Sequence, residues 1–354
     1  MPPPLLVTTD PLALDDLLRL AALAGVDADV VQDLGEVRRL WDHAPLVLVG
    51  EDVLDELVAQ RLARRDGVLV LGRDLDDAGV WQRAVDLGAQ RVVFLPDAER
   101  WLAEALADAV EGGAERGSVL AVVGGRGGAG ATTLACALAQ TAARRGTSTL
   151  LVDGDPLGGG IDVVFRAEEA SGVRWPDLAG TRGRIPAAAL ARGLPRVADL
   201  ALLSWDRGDA VQVPVEAARA VLSAARRSHS LVVVDVPRHV DEVGREVLLA
   251  ATTTLLLVPA EVRAAAAAAR VAARLAQHCR DVRLVVRGPA PAGLTAEEVE
   301  RALGLPLVGE VRAEPHLARS LEEGELPAAR RGSPLGGLCH ALLDALLVPE
   351  LRAA

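Results

Sequence analysis

The residues best equipped to do chemistry lie in one short run, Gly124-Gly125-Arg126-Gly127-Gly128-Ala129-Gly130-Ala131-Thr132-Thr133. Five glycines in seven residues let the backbone curl so that its N–H groups face an anion. A helix opening directly afterwards adds the positive potential of its N-terminus. The chemistry is phosphate binding by Gly125, Arg126, Gly127, Gly128, Ala129, Gly130 and Ala131, with Thr132 as the candidate Mg²⁺ ligand and Thr133 beside it at the helix start. A plain glycine turn between strand and helix is the alternative reading. An ordinary phosphate-binding loop places Lys just before the Thr; here that residue is Ala131. Losing one or two charge-assisted hydrogen bonds of about 1.5–3 kcal/mol each weakens binding by roughly one to three orders of magnitude. Hydrolysis suffers at least as much, because that lysine contacts the β- and γ-phosphates.

Such a loop needs a strand feeding it and a helix leaving it. The apolar run at 119–123 and the helical pattern at 132–144 supply both. Further strands are expected at 149–153, 200–204, 231–235, 254–258, 283–286 and 307–308, with a long helix over 260–278 built around an alanine run. Residues 166–199 read as a Pro/Gly-punctuated insertion with one helical piece at 187–192. The first part of the chain shows five shorter βα units. Its strands are expected at 5–8, 29–32, 46–50, 68–72 and 91–95, with helices that include 11–24, 53–64 and 98–110. This alternation predicts mostly parallel sheets covered by helices. The expected organisation is a flavodoxin-like domain over 1–112, a linker at 113–117 and a second α/β domain over 118–354.

Composition narrows the function. The 354 residues contain no lysine, so all 38 basic residues are Arg, and Schiff-base or pyridoxal chemistry is excluded. The net charge of −11 argues against a dominant nucleic-acid role. It is unevenly spread: residues 1–115 carry 23 acidic against 10 basic side chains, and the remainder is close to neutral. The cysteines Cys136, Cys279 and Cys339 are too far apart for a metal or redox motif, and the six histidines are scattered. There is no signal-peptide pattern and no apolar stretch long enough to span a bilayer, so a cytoplasmic protein with at most peripheral membrane contact is expected. The apolar stripe of the last helix, with Leu338, Leu342 and Leu346, lacks the basic face of an interfacial helix and is expected to pack on the second domain.

The loop resembles the deviant Walker A loop of the MinD/ParA family of P-loop ATPases, which reads Lys-Gly-Gly-x-Gly-Lys-Ser/Thr. Here the match is Arg126-Gly127-Gly128-Ala129-Gly130-Ala131-Thr132. The resemblance implies ATP and Mg²⁺ as cofactors and a nucleotide-dependent homodimer. Arg126 stands where the family's first lysine reaches the partner's phosphates; a surface ion pair is its other reading. Asp153-Gly154-Asp155 falls where the family has its switch I aspartates. By resemblance, Asp153 lies near the Mg²⁺ shell, Asp155 orients the attacking water, and Asp235, closing the apolar run 231–235, holds a Mg²⁺-bound water. Each Asp at a strand end is otherwise a helix cap. Arg126, Asp155 and Asp235 are thus the candidate catalytic residues, and Thr132, Asp153 and Asp235 the candidate metal residues. Val258-Pro259-Ala260-Glu261 resembles the family's Pro-x-Glu segment. The family often reads adenine with an Asn after a later strand; here that strand runs into Arg287-Gly288-Pro289, and the chain has no Asn. Asp162, after Gly158-Gly159-Gly160, belongs either to a switch-like loop or to a capped turn, and Trp175 is either a core plug or a partner anchor.

The first domain resembles a response-regulator receiver without its chemistry. Thr8-Thr9-Asp10 stands at the acidic-pair position, Gly50 near the phospho-acceptor position with Glu51 and Asp52 behind it, and Leu95-Pro96 in place of Lys-Pro. A pseudo-receiver joined to a deviant Walker ATPase resembles the CpaE/TadZ branch, including actinobacterial proteins described as septum site-determining; the segment Gly172-Val173-Arg174-Trp175-Pro176-Asp177-Leu178 adds a branch-level cue. The resemblance implies an ATP-binding positioning protein for secretion, pilus or cell-division machinery, with weak or absent hydrolysis. Two alternatives stay open: a non-hydrolysing scaffold with a vestigial loop, and a ParA-like DNA-segregation ATPase.

Overall fold

The computed structural model describes residues 2–75, 77–110, 117–208, 211–326 and 332–351. The chain divides into two compact units, Met1–Glu115 and Arg116–Ala354. Apart from Gly117, the expected linker at 113–117 lies outside the described residues.

The first unit alternates β1 (Leu5–Val7), α1 (Pro11–Ala24), β2 (Asp29–Val31), α2 (Leu34–Trp41), β3 (Val47–Gly50), α3 (Leu54–Ala59), β4 (Val68–Gly72), α4 (Ala78–Leu87), β5 (Arg91–Phe94) and α5 (Glu99–Val110). Its parallel sheet has the order β2-β1-β3-β4-β5. Neighbouring strand residues point to opposite faces, and the inner strands β1, β3 and β4 are covered on both, so they read as apolar runs. Leu5, Val7, Val47 and Val49 pack with Trp41 and Leu57 on one side. Leu6, Leu48 and Leu69 pack with Leu17 and Leu102 on the other. The helix expected over 53–64 is shorter: a 3₁₀ turn at Glu51–Val53 precedes α3, which stops at Ala59. The Gln60 carbonyl accepts from Arg38, the Gln60 amide donates to the Leu34 carbonyl, and Arg61 turns to φ 48°. Those long-range bonds divert the chain where local helical pattern alone would have continued.

The second unit runs β6 (Ser118–Gly124), α6 (Ala131–Arg144), β7 (Thr149–Asp153), α7 (Trp175–Leu178), α8 (Ala187–Gly193), β8 (Arg196–Val197), β9 (Leu200–Leu203), α9 (Val215–Ser228), β10 (Leu231–Val236), α10 (Glu242–Ala250), β11 (Thr253–Pro259), α11 (Val262–Leu275), β12 (Val282–Arg287), α12 (Ala296–Leu303), β13 (Leu307–Val311), α13 (Leu317–Glu322) and α14 (Pro334–Leu351). Its sheet has the order β13-β12-β11-β6-β10-β7-β9-β8, parallel except for the short edge strand β8. The fold is therefore the expected pair of mostly parallel α/β units. α7 and β8 were not separated from the insertion by pattern, because elements of four and two residues carry no period.

β6 lies centrally, between β10 and β11. α6 is buried along almost its whole length, with Leu134 to Ala139 all in the core. Small residues at Ala135, Ala137 and Ala139 let it lie close between the sheet and α14. Leu335, Leu338, Leu342 and Leu343 of α14 pack into the same core, so its apolar face is occupied by the second unit itself. No described helix is long and apolar enough to cross a membrane.

Candidate functional site

The loop after β6 is shaped by close approaches. The Gly125 N–H donates to the Leu257 carbonyl at 2.9 Å, and a Cβ on Gly125 would stand 2.8 Å from the Ala268 methyl. Only glycine lets the loop lie this tightly on β11 and α11. Gly130, at φ 98°, is the residue from which α6 starts, and no side chain caps that helix. Its first-turn N–H groups are thus left facing the loop, where an anion satisfies both their hydrogen bonds and the helix dipole.

Register brings the carboxylates to the same place. In the parallel pairing of β7 with β10, Asp153 lies opposite Asp235. The Gly154 N–H donates to the Asp235 carbonyl at 2.8 Å, and a Cβ there would come within 2.5 Å of that oxygen. The two strand tips are therefore fixed together. The Thr132 hydroxyl, in the first turn of α6, donates to Asp235 Oδ2 at 2.6 Å. Asp153 accepts from the Asp155 and Ile161 N–H groups, each at 3.1 Å. Its backbone carbonyl accepts from Trp175 Nε1 at 2.7 Å. Burial, aided by the neighbouring carboxylates, pushes the Asp153 pKa up to about 7 against the pull of those two N–H bonds. Burial likewise raises Asp235 to about 6, with Thr132 opposing and Asp155 reinforcing the shift.

Asp153, Asp155, Asp235 and Thr132 line one cavity of about 420 Å³, together with Gly159 and Glu168. Among the described residues, no group of three or more His, Cys, Asp or Glu is arranged to hold a metal by itself. A hydroxyl bonded to a carboxylate beside a second carboxylate is instead a hard-oxygen set. It suits Mg²⁺ that brings water and phosphate oxygens with it. A second cavity, about 250 Å³, adjoins the loop on the β12 side and is lined by Gly130, Thr133, Leu257, Arg287, Pro289 and Val311 among others.

The structure gathers Gly125 through Thr133, Asp153, Asp155 and Asp235 around the end of the central strands, as the sequence candidates require. Arg126 pairs with Glu261 at 2.7 Å, both about one-third exposed. Asp162 is wholly buried and caps the 3₁₀ turn Val163–Phe165. It accepts from Arg207 through both oxygens, at 2.7 and 2.8 Å, and from the Ser204 hydroxyl. Arg174, itself buried, lies 3.5 Å away. Burial opposes its charge, but Arg207, Ser204 and Arg174 outweigh that and hold the carboxyl below its usual range. Spacing gave no sign of this cluster, since Arg207 is 45 residues away. Trp175 is buried and stacks on Trp205 with ring centroids 5.8 Å apart, so it is a core residue.

In the first unit, the receiver-like cleft satisfies itself. Asp52 accepts from the Thr8 hydroxyl, the Thr9 N–H and hydroxyl, and the Asp10 N–H. Burial works against its charge, but those bonds win and hold it below the usual carboxylate range. Arg73 pairs with Asp10, and its N–H donates to Glu51. Both Asp52 oxygens and one Glu51 oxygen thus hold hydrogen bonds within the cleft.

Residues 7–117 match the Rv3660c-like, CheY-like N-terminal domain family, and residues 120–328 match the CobQ/CobB/MinD/ParA nucleotide-binding domain family. An uncharacterised Mycobacterium tuberculosis protein, Rv3660c, is 40% identical over 342 residues, 96% of each chain. Among solved structures, the ParA family ATPase from Chlorobium tepidum aligns with a TM-score of 0.57 at 17% identity, over 66% of this chain and all of that one. The MinD cell division protein of Aquifex aeolicus aligns at 0.54 and 22% identity, over 65% of this chain and 97% of that one. The septum site-determining protein MinD of Pyrococcus horikoshii, complexed with Mg-ADP, aligns at 0.51 and 15% identity, over 65% and 95%.

Proposed function

Because the chain belongs to the CobQ/CobB/MinD/ParA nucleotide-binding family, with a CheY-like domain in front of that fold, we propose that it is an ATP-dependent positioning protein. ATP with Mg²⁺ binds at the β6–α6 loop and promotes a homodimer, and the acidic first unit recruits a protein partner. The observation that carries this reading is the uncapped start of α6 beside the Thr132–Asp235 bond. The loop N–H groups hold the phosphates. Thr132 and Asp235 are the residues that would hold Mg²⁺, with Asp153 beside them on the neighbouring strand end. When bound, Mg²⁺ neutralises phosphate charge. Asp155 orients the attacking water, and hydrolysis is slow because Ala131 supplies no charge to the β- and γ-phosphates. Arg126, with its planar fork of donors, reaches the partner's phosphates once it leaves Glu261. The pseudo-receiver with a deviant Walker loop supports a CpaE/TadZ-like place at secretion, pilus or septum machinery, on the cytoplasmic face.

Titrating the full chain with ATP and Mg²⁺, while following affinity, oligomeric state and phosphate release, tests this. Saturation below millimolar ATP, ATP-dependent dimers and phosphate release well under one per second are expected, on the order expected for a loop lacking its lysine. Absence of binding at millimolar ATP overturns the reading. Arg126→Ala should leave monomer binding largely intact and weaken the ATP-dependent dimer. Unchanged dimerisation would remove Arg126 from that interface.

The raised carboxylates add a pH dependence. Asp153 and Asp235 favour the protonated form in the folded chain. Their contribution to stability is full below the unfolded carboxylate range and is lost as pH rises through about 6 and about 7. Mg²⁺ needs the ionised forms, so nucleotide binding gains over the same interval. Thermal stabilisation by Mg²⁺·ATP should be several-fold larger in binding terms near pH 8 than near pH 5.5. Equal thermal shifts at both pH values contradict this assignment.

A further inference from the structure

Position 131 leaves the phosphate loop without the usual lysine, and the structure brings another cation to it from the strand end that the resemblance assigned to reading the base. Arg287 closes β12, two strands from β6 in the sheet order. Its backbone is held by the pairing with Pro259 and by the Ala260 N–H, which donates to the Arg287 carbonyl at 2.9 Å. The guanidinium then turns back over the loop. Its Nη1 lies 3.4 Å from where a Cβ would stand on Gly130, so it approaches at a residue that offers no side chain.

Its electrostatic situation is unusual. Arg126 is matched by Glu261 at 2.7 Å. Arg287 has no ion pair among the described residues, although it is half-buried and its Nε is a buried donor with no partner. Burial and the charge of Arg126 both work against its own charge, with only Glu261 in support. Arginine stays charged in proteins. This cation therefore lies against the start of α6 beside a second cation, sharing Glu261 with it at longer range and forming no ion pair of its own among the described residues. It also lines the 250 Å³ cavity that adjoins the loop. A bound polyphosphate would give the Nη groups over Gly130 and the helix start one shared anion.

We propose that Arg287 is a relocated phosphate-binding cation, standing in from β12 for the charge that Ala131 does not supply. This rests on the nucleotide-binding reading above and adds to it a residue from outside the loop. The guanidinium contacts the phosphate chain of the nucleotide and not its base. A planar fork suits two phosphate oxygens at once, so one residue replaces the contacts of the missing ammonium.

The test measures ATP affinity by calorimetry and the displacement of ATP by inorganic tripolyphosphate, a probe with no base. Arg287→Ala, and Arg287→Gln as the variant that keeps more of the packing, should both weaken ATP and tripolyphosphate about 10- to 100-fold. Adding Ala131→Lys to either should restore most of the loss, and the recovered binding also shows that the variant is folded. ATP affinity unchanged in the Arg287 variants overturns the proposal. So does a loss for ATP with tripolyphosphate unaffected, which would assign Arg287 to the base. Failure of the unaltered protein to bind ATP instead overturns the nucleotide reading itself, so the two failures are separable.

Discussion

Asp162→Ala is expected to destabilise the full chain by about 3–5 kcal/mol, the cost of stranding buried charge. The carboxylate has no exposed surface and is the anion shared by Arg207 and Arg174. Arg174 is itself 7% exposed. Its Nη2 keeps bonds to the Ala167 and Ala170 carbonyls after the substitution, but its charge is left in a low-dielectric interior. The 3₁₀ turn after Asp162 loses its cap as well. Asp162→Asn keeps the shape and one acceptor oxygen, so its loss should be smaller. Urea denaturation followed by far-ultraviolet circular dichroism measures both. A loss under about 1 kcal/mol for the alanine variant would show that water enters and solvates the two guanidinium groups.

Asp235→Asn should separate stability from ligand binding, moving them in opposite directions. An asparagine oxygen still accepts from Thr132, so the local bond survives. The charge that burial disfavours is gone. A carboxyl held at about 6 in the fold, against 3.8 as the ordinary value, costs roughly 1–3 kcal/mol above pH 7, and the variant recovers that amount. The gain must shrink as pH falls from about 6 toward 3.8 and vanish only below that, where the carboxyl is protonated in both states. Mg²⁺-dependent ATP affinity should fall by about two orders of magnitude if Asp235 supplies the charge that would hold the metal, as proposed. Calorimetry with and without Mg²⁺ reads the second effect, and thermal unfolding at pH 8 and pH 4.5 reads the first. A variant that binds Mg²⁺·ATP normally would remove Asp235 from the metal shell.

The sequence carried the parts of this arrangement that depend on neighbours along the chain. The β6–loop–α6 unit was legible because an apolar strand, a glycine run and a helix start occupy consecutive positions. Asp153 and Asp235 were legible as strand-end carboxylates, and parallel register then did the rest by placing them opposite each other. The partners of Asp162 and the approach of Arg287 to the loop were not legible. The first depends on Arg174 and Arg207 folding back from the insertion and from beyond β9. The second depends on sheet order, which brings the end of β12 over a loop more than 150 residues earlier. The short α3 makes the same point on a small scale. Its length is set by Gln60, whose carbonyl is held by Arg38 and whose side chain bonds Leu34, and not by its own helical pattern.

The bond from Trp175 to the Asp153 carbonyl has an optical consequence. The chain contains no tyrosine, so its ultraviolet emission comes from five indoles. Three of them, Trp41, Trp81 and Trp101, belong to the first unit, leaving the stacked pair Trp175 and Trp205 to the second. One ring of that pair donates at 2.7 Å to the very residue whose carboxylate lines the cavity beside Thr132. Any adjustment of Asp153 on ligand entry changes the polarity and stacking felt by that indole. The second unit thus contains an indole hydrogen-bonded to a residue of the candidate site, so a ligand-dependent change in emission, over the background of Trp41, Trp81 and Trp101, should report on Asp153 without a dye.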